Sequence, residues 1–133
     1  LRWSDVWWGR GARDATRSLL ISASVARGRH DGRTKSGRER RVQLSRRLWL
    51  TLREEWIARG QPAAGRVLEG FEPANFRNRH FADVCLAAEI GHRRPKDLRD
   101  TFASHLLSSG FQLAYVSAQL GHGDVAVTAR HYA

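Results

Sequence analysis

Residues 95–105 read PKDLRDTFASH, and this stretch has the pattern of an amphipathic helix in the C-terminal half of the chain. Pro95 can open the helix because proline is tolerated at the first helical position. Leu98, Phe102 and Leu106 recur every four residues, which predicts a face that packs into a core. The stretch therefore predicts a helix that begins at Pro95 and packs one face against apolar neighbours.

The start of this helix brings two cations together. Lys96 and Arg99 are three residues apart, so they share one face of a helix. Both are close to the helix N-terminus, where backbone N–H groups favour an anion such as a phosphate. Taken alone, the stretch fits an ordinary amphipathic helix with a solvated charged face better than it fits a phosphate site.

Two short motifs follow, LGHGD at residues 120–124 and TARHY at residues 128–132. Gly121 ends a short predicted helix, so His122 is expected in an exposed turn. Asp124 is a suitable N-cap for a last helix that reaches Tyr132. Taken alone, His122 also fits a plain turn residue, and Tyr132 also fits a core tyrosine.

The N-terminal half predicts a small β structure. Ser18–Val25 (SLLISASV) is apolar and β-branched and predicts a strand, and Arg40–Leu44 (RRVQL) alternates and predicts a short returning strand. The glycine-rich stretch Arg27–Gly37 between them predicts a basic loop. Together they indicate a β-hairpin or small sheet with a basic tip.

Helices account for the rest of the prediction. Ser45 can cap a helix that runs to about Arg59, with a core-facing stripe of Leu48, Leu52 and Trp56. A further helix is predicted from about Asn75 to Ile90. The fold class is therefore mainly α with a small β-hairpin or sheet (α+β).

The predicted hairpin tip holds one of only two lysines, Lys35 and Lys96, among 23 basic residues. Arginine keeps its proton near neutral pH, whereas a lysine can be tuned to release it. The two lysines are therefore candidates for proton transfer. A chance survival of two lysines, and a hairpin with solvated charges, stay open as alternatives.

The net charge of +10 favours a nucleic-acid partner first and an acidic membrane surface second. An arginine-rich composition with solvated charges is the alternative. No apolar run approaches the roughly 20 residues that a membrane helix needs. Cys85 is the only cysteine, which fits core packing and a reducing cytoplasm.

In order and residue type, RTKSGRERRVQLS, KDLRDTFASHLLSSG, LGHGD and TARHYA resemble the C-terminal catalytic domain of tyrosine recombinases, the phage integrases. That family combines a hairpin lysine, an H-x-x-R helix start, an LGH turn and a nucleophilic tyrosine. The resemblance extends over nearly the whole chain, including the opening LRWSDV. It implies site-specific DNA recombination or integration by a mainly α domain with a small β-hairpin.

The resemblance also implies a role for each matching residue. Tyr132 would attack a DNA phosphate and form a covalent 3′-phosphotyrosyl link. Arg99 and His122 would donate hydrogen bonds to its non-bridging oxygens, and Lys35 would protonate the leaving 5′ oxygen. Lys96 occupies the family's first histidine position. No metal ion or other cofactor is required.

The expected partner is double-stranded DNA, bound by a homotetramer of the full-length protein. The protein is expected to be in the cytoplasm and to be encoded by a bacterium or a phage. The expected DNA-binding residues are arginines of the hairpin and of the segment before Pro95: Arg33, Arg38, Arg40, Arg41, Arg93 and Arg94. Binding to phosphates should weaken steeply with salt.

Three departures from the family pattern matter. Lys96 replaces a histidine, and Asp100 replaces a second histidine, where a carboxylate could pair with a neighbouring arginine. The family's first catalytic arginine would precede Leu1. We therefore expect residues 1–133 to be the catalytic breaking–rejoining domain without that arginine and without an N-terminal DNA-binding domain, and to be impaired in strand cleavage by themselves.

Other classes of protein compete with this interpretation. A DNA-binding module of the same fold that no longer cleaves, a type IB topoisomerase and a telomere resolvase share the charge and much of the pattern. A helix-turn-helix regulator is disfavoured because residues 112–120 lack base-reading side chains. Zinc-site spacings and a phosphate-binding G-x-x-x-x-G-K-[ST] loop are absent from the sequence.

Overall fold

The computed structural model describes residues 1–11, 13–26, 29–33 and 39–132. The chain forms two compact units, Leu1–Glu69 and Gly70–Ala133. The first holds the short strands and one long helix, and the second is helical, which confirms the predicted class of a mainly α protein with a small β part. Within the described ranges, none of the helices is both long enough and apolar enough to cross a membrane.

Five short strands occur among the described residues of the first unit. Strands β1 (Val6–Trp7), β2 (Ser18–Ile21) and β5 (Arg40–Gln43) form an antiparallel sheet in the order β1-β2-β5. Strands β3 (Ala23–Ala26) and β4 (Arg29–Arg33) form a separate antiparallel pair.

The returning strand is confirmed, because β5 pairs with β2 from Ser18 opposite Gln43 to Ile21 opposite Arg40. Two details of the sequence prediction are wrong. The single strand expected over Ser18–Val25 is divided into β2 and β3, which belong to different sheets. Part of the stretch expected to be loop is strand β4, because its backbone groups pair with those of β3.

Helix α1 (Arg46–Ala58) begins as predicted, since the Ser45 side chain accepts a hydrogen bond from the Leu48 backbone N–H at 3.2 Å. The predicted stripe is only partly correct. Leu52 and Trp56 pack against the core, whereas Leu48 is 44% exposed. The buried side chain of the helix is the neighbouring Trp49, in a core with Trp3, Val6, Leu44 and Val67.

The second unit starts with an interrupted helix. It runs through α2 (Pro73–Asn75), a π-helical segment (Phe76–His80) and α3 (Phe81–Ala87). A helix was predicted here, and its buried residues are Phe81 and Cys85, one turn apart. The expectation that the Cys85 thiol packs in the interior is therefore confirmed.

Three further helices follow, α4 (Pro95–Ser108), α5 (Leu113–Leu120) and α6 (Val125–Tyr132). Each begins or ends at the signal found in the sequence: Pro95 at the first position of α4, Gly121 after α5 with φ of 73°, and Asp124 accepting from the Ala126 N–H at 2.8 Å. The core between these helices is formed by Ala103, Val116 and Leu120, flanked by Leu106, Leu107, Tyr115 and Tyr132.

The predicted core face of α4 is wrong in two of its three positions. Leu98 is 54% exposed and Phe102 is 39% exposed, whereas Leu106 packs on the core. Ala103, with no exposed surface, marks the centre of the buried face instead. The small Ala103 side chain packs against the α5 core residues. Because this face of α4 is turned towards α5, Leu98 and Phe102 face away from the interior.

We expect Leu120→Ala to lower the free energy of unfolding by about 2–5 kcal/mol, because it leaves a cavity among packed side chains. The matched control is Leu98→Ala, which removes the same atoms from an exposed position and should change stability by about 0.5 kcal/mol or less. Urea unfolding followed by circular dichroism measures both. Equal losses in the two variants would contradict this assignment of the core.

Candidate active site

The start of α4 is fixed by a carboxylate. Asp97 accepts a hydrogen bond from the Arg94 backbone N–H at 2.9 Å and pairs with the Arg94 guanidinium at 3.0 Å. The backbone N–H of Arg94, followed by its side chain, lowers the pKa of Asp97 below the usual value. The carboxylate therefore stays ionised and holds the first turn in register.

The two cations that the sequence placed on α4 differ in their surroundings. Lys96 is at the second helical position and is exposed, whereas Arg99 is one turn further along and is half-buried. Arg93, which precedes the helix, is exposed. Arg94 is exposed too, with its guanidinium engaged by Asp97, so DNA binding by Arg93 and Arg94 stays a prediction.

Tyr132 lies at the end of α6, and its hydroxyl donates a hydrogen bond of 2.6 Å to Oδ1 of Asp100 on α4. Its ring packs against the core between α4 and α5. The sequence suggested an arginine partner for Asp100, but the carboxylate contacts this phenol instead. The ion pairs Glu55–Arg59 and Arg94–Asp97 do not involve Asp100.

The surroundings of the phenol raise the pKa of Tyr132 above the ordinary value of 10.0. Burial is the largest cause, since it disfavours the phenolate. The hydrogen bond to Asp100 and the negative charge of that carboxylate act in the same direction, and the nearby Arg99 cation opposes them. Tyr132 is therefore a neutral phenol at physiological pH.

His122 occupies the turn between α5 and α6, as predicted, but it is half-buried there rather than exposed. Its Nδ1 is 2.7 Å from Oγ1 of Thr128, and its backbone N–H donates to the Ser117 carbonyl at 3.1 Å. Thr128 has no exposed surface and lies one helical turn before Tyr132. One helix therefore positions both the tyrosine and, through a buried hydroxyl, the imidazole.

A groove of about 540 Å³ runs along α4 and is lined by residues that include Arg93, Asp97, Asp100, Ser104 and His105. Asp100 thus borders this groove and also contacts Tyr132. No group of three or more potential metal ligands (His, Cys, Asp or Glu) occurs within the described ranges.

Four residues of the predicted set belong to the second unit: Lys96 and Arg99 are on α4, His122 is in the turn between α5 and α6, and Tyr132 is at the end of α6. Arg40 and Arg41 belong to strand β5 of the first unit, where the Arg41 guanidinium donates to the Ser18 hydroxyl at 3.4 Å. Lys35 and Arg38, and the side chain of Arg33, lie outside the described residues.

Sequence reasoning did not assign a site role to Asp100 or to Thr128. Thr128 carried a usable signal, since it precedes Tyr132 by one helical turn and therefore shares its face. Asp100 carried a weaker one, as an acid beside a proposed phosphate-binding arginine.

We expect Asp100→Asn to lower the pKa of Tyr132, because the amide keeps a hydrogen-bond acceptor but removes the negative charge that disfavours the phenolate. Absorbance titration of the phenolate measures this shift. The chain has two tyrosines, so subtraction of the Tyr132→Phe curve isolates the signal of Tyr132.

The folded chain binds the Tyr132 proton more tightly than the unfolded chain does. The resulting stability is present below pH of about 10 and is lost as the pH rises through the folded-state pKa. An unchanged or raised pKa of Tyr132 in Asp100→Asn would contradict the described contact.

Comparison with known proteins identifies the family. The model of the "Phage integrase family" matches residues 1–133. Tyrosine recombinase XerC of Azotobacter vinelandii is 38% identical over 86 residues, which cover 62% of this chain and 27% of that protein. Tyrosine recombinase XerC of Chromobacterium violaceum is 34% identical over 109 residues, which cover 72% of this chain and 34% of that protein.

Tyrosine recombinase XerC of Psychromonas ingrahamii is 31% identical over 84 residues, 62% of this chain and 28% of that protein. The chain thus spans about a third or less of the length of these relatives. No solved structure matches it significantly. The family match over the full 133 residues establishes that the chain belongs to the phage integrase family of tyrosine recombinases.

Proposed function

We propose that this protein cuts and rejoins double-stranded DNA at specific sites, with Tyr132 forming a covalent 3′-phosphotyrosyl intermediate. In this proposal residues 1–133 are the catalytic breaking–rejoining domain. The observation that carries the proposal is the placement of Tyr132. Its hydroxyl donates a 2.6 Å hydrogen bond to Asp100 on α4, and this contact holds the phenol close to Arg99. Three relatives named tyrosine recombinase XerC support the same reaction class.

The proposed reaction divides one difficult step into two easier ones. The Tyr132 oxygen bonds to the scissile phosphorus, and the bond to the 5′ oxygen breaks. The Arg99 guanidinium would donate paired hydrogen bonds to the non-bridging oxygens as charge builds on them. His122, fixed by Thr128, would supply a further donor, and Lys96 would add positive charge at the helix start.

Lys35 is the proposed general acid for the leaving 5′ oxygen, a proton transfer that arginine could not perform. The 5′ hydroxyl of a second strand would then attack the phosphotyrosyl bond and release Tyr132. Cationic side chains take the electrostatic role throughout, so the proposed reaction needs no metal ion and no nucleotide.

The proposed DNA surface follows from the net charge of +10. Phosphate contacts release counterions, so binding should weaken steeply between low and moderate salt. The proposed DNA contacts are arginines that come from both units of the chain: Arg33, Arg38, Arg40, Arg41, Arg93 and Arg94. Assembly of the full-length protein as a homotetramer on two DNA sites is part of the same proposal.

The complete natural protein that carries these residues should form a covalent DNA adduct that depends on Tyr132. The substrate is duplex DNA from the region flanking its gene, nicked near the cleavage site so that the short 5′-hydroxyl strand diffuses away and the adduct accumulates. A denaturing gel detects the adduct. Tyr132→Phe removes the nucleophilic oxygen and should abolish it.

The matched control is Tyr115→Phe, which removes the other phenol of the chain from α5 and should keep the adduct. Adduct formation by Tyr132→Phe would overturn the assignment of the nucleophile. Salt-sensitive DNA binding without any adduct would favour the DNA-binding module that does not cleave. Relaxation of supercoiled DNA with no sequence requirement would favour a type IB topoisomerase.

A further inference from the structure

The candidate site contains one acidic group in direct contact with the proposed nucleophile. Asp100 is half-buried on α4, directly after Arg99. The distance of 2.6 Å from the Tyr132 hydroxyl to Oδ1 of Asp100 is in the range of short hydrogen bonds between a hydroxyl and a carboxylate. The phenolic proton therefore points at a group that can accept it.

A phenol must lose its proton when it bonds to phosphorus. The pKa of Tyr132 is raised by burial and by Asp100, so a preformed phenolate is scarce and the proton must leave during the attack. Arginine as a guanidinium has no acceptor lone pair. The Nδ1 of His122 is 2.7 Å from the Thr128 hydroxyl, whereas the Asp100 carboxylate is in direct contact with the Tyr132 hydroxyl.

We propose that Asp100 is the catalytic base that takes the proton of Tyr132 during DNA cleavage and returns it during rejoining. This inference rests on the proposed function and extends it. Within the described part of the chain, the Asp100 carboxylate contacts the Tyr132 hydroxyl. The Tyr132 ring packs on the core, and this packing keeps the hydroxyl at the carboxylate.

The steps balance without any further reagent. As the bond from Tyr132 Oη to phosphorus forms, the phenolic oxygen becomes electron-poor and its proton passes to Oδ1 of Asp100. The bond from phosphorus to the 5′ oxygen breaks, and that oxygen takes a proton from the general acid. In the reverse direction an incoming 5′ hydroxyl gives up its proton to the same general acid, and the departing Tyr132 oxygen recovers its proton from Asp100.

The charged and titratable groups around this pair define what else could affect its pH response. Helix α4 carries Arg99 next to Asp100, and Arg93, Asp97 and His105 line the groove that Asp100 borders. Helix α5 carries Tyr115. His122 lies in the following turn, and α6 carries Arg130 and His131. The His131 ring lies 6.2 Å from the Tyr132 ring, centroid to centroid, and its Nδ1 is 2.9 Å from the Val127 carbonyl.

Substitution of Asp100 separates a proton acceptor from a simple anchor. Asp100→Asn keeps the shape and an oxygen that accepts the Tyr132 hydrogen bond, but it cannot take the proton. Asp100→His restores a base with a different titration range, near pH of about 6.5 for an ordinary histidine. If Asp100 only anchored Tyr132, Asp100→Asn would keep the rate of cleavage. An anchor would also give no reason for Asp100→His to shift the pH profile.

The experiment uses the complete natural protein and the nicked DNA substrate, with the single-turnover rate of adduct formation measured at saturating DNA across pH. Saturation matters because removal of a negative charge can itself strengthen DNA binding. We expect Asp100→Asn to lose about 100-fold or more in rate, together with the fall in rate at acid pH. Asp100→His should recover much of the rate, with the acid limb moved to higher pH.

Asp83→Asn is the matched control, since it removes one carboxylate from an exposed position on α3 and should behave as the unchanged protein does. Thermal unfolding and DNA affinity verify that each variant folds. A wild-type rate and profile in a folded Asp100→Asn protein would overturn the role of Asp100 and leave the proposed function standing. No adduct from the unchanged protein would overturn both.

Discussion

The hydrogen bond from the Tyr132 hydroxyl to Asp100 is the constraint on which the candidate site depends. It joins the last helix to α4 and sets the phenol beside Arg99, so the proposed nucleophile and the proposed phosphate-binding cation have one rigid support. The ring of Tyr132 packs on the core formed by Ala103, Val116 and Leu120, and this packing gives the contact its direction. A polar contact at the edge of an apolar core thus joins α4 and α6 at the candidate site.

The same contact has two opposing chemical effects. It raises the pKa of Tyr132 and so reduces the amount of phenolate, but it also places an acceptor on the proton that must leave. Arg99 moderates the first effect and serves the proposed reaction by neutralising phosphate charge. The buried Thr128 hydroxyl fixes His122 from the same helix, so a displacement of α6 would disturb two groups of the site at once.

Local signals predicted the elements well, and tertiary contacts decided the rest. The serine cap of α1, the proline at the start of α4 and the glycine after α5 act on the nearest backbone groups, so the sequence could reveal them. The exposure of Leu98 depends instead on which face of α4 meets α5, which periodicity alone cannot determine. The Tyr132–Asp100 contact joins residues that are 32 positions apart in the sequence. Local sequence patterns do not extend over so large a separation, so they could not predict this contact. The family motifs identified Tyr132 and Arg99 as candidates and marked Asp100 as a departure from the pattern, but they did not reveal that Asp100 contacts Tyr132.

The most direct measurement is the location of the covalent link between protein and DNA. The trapped adduct can be digested with nuclease and trypsin, and the remaining peptides can be sequenced by tandem mass spectrometry. We expect a residual nucleotide on the peptide that begins at His131, attached to the Tyr132 oxygen, and an unmodified peptide around Tyr115. Attachment of the nucleotide to any other side chain would contradict the central claim that the phenol held by Asp100 is the group that attacks DNA.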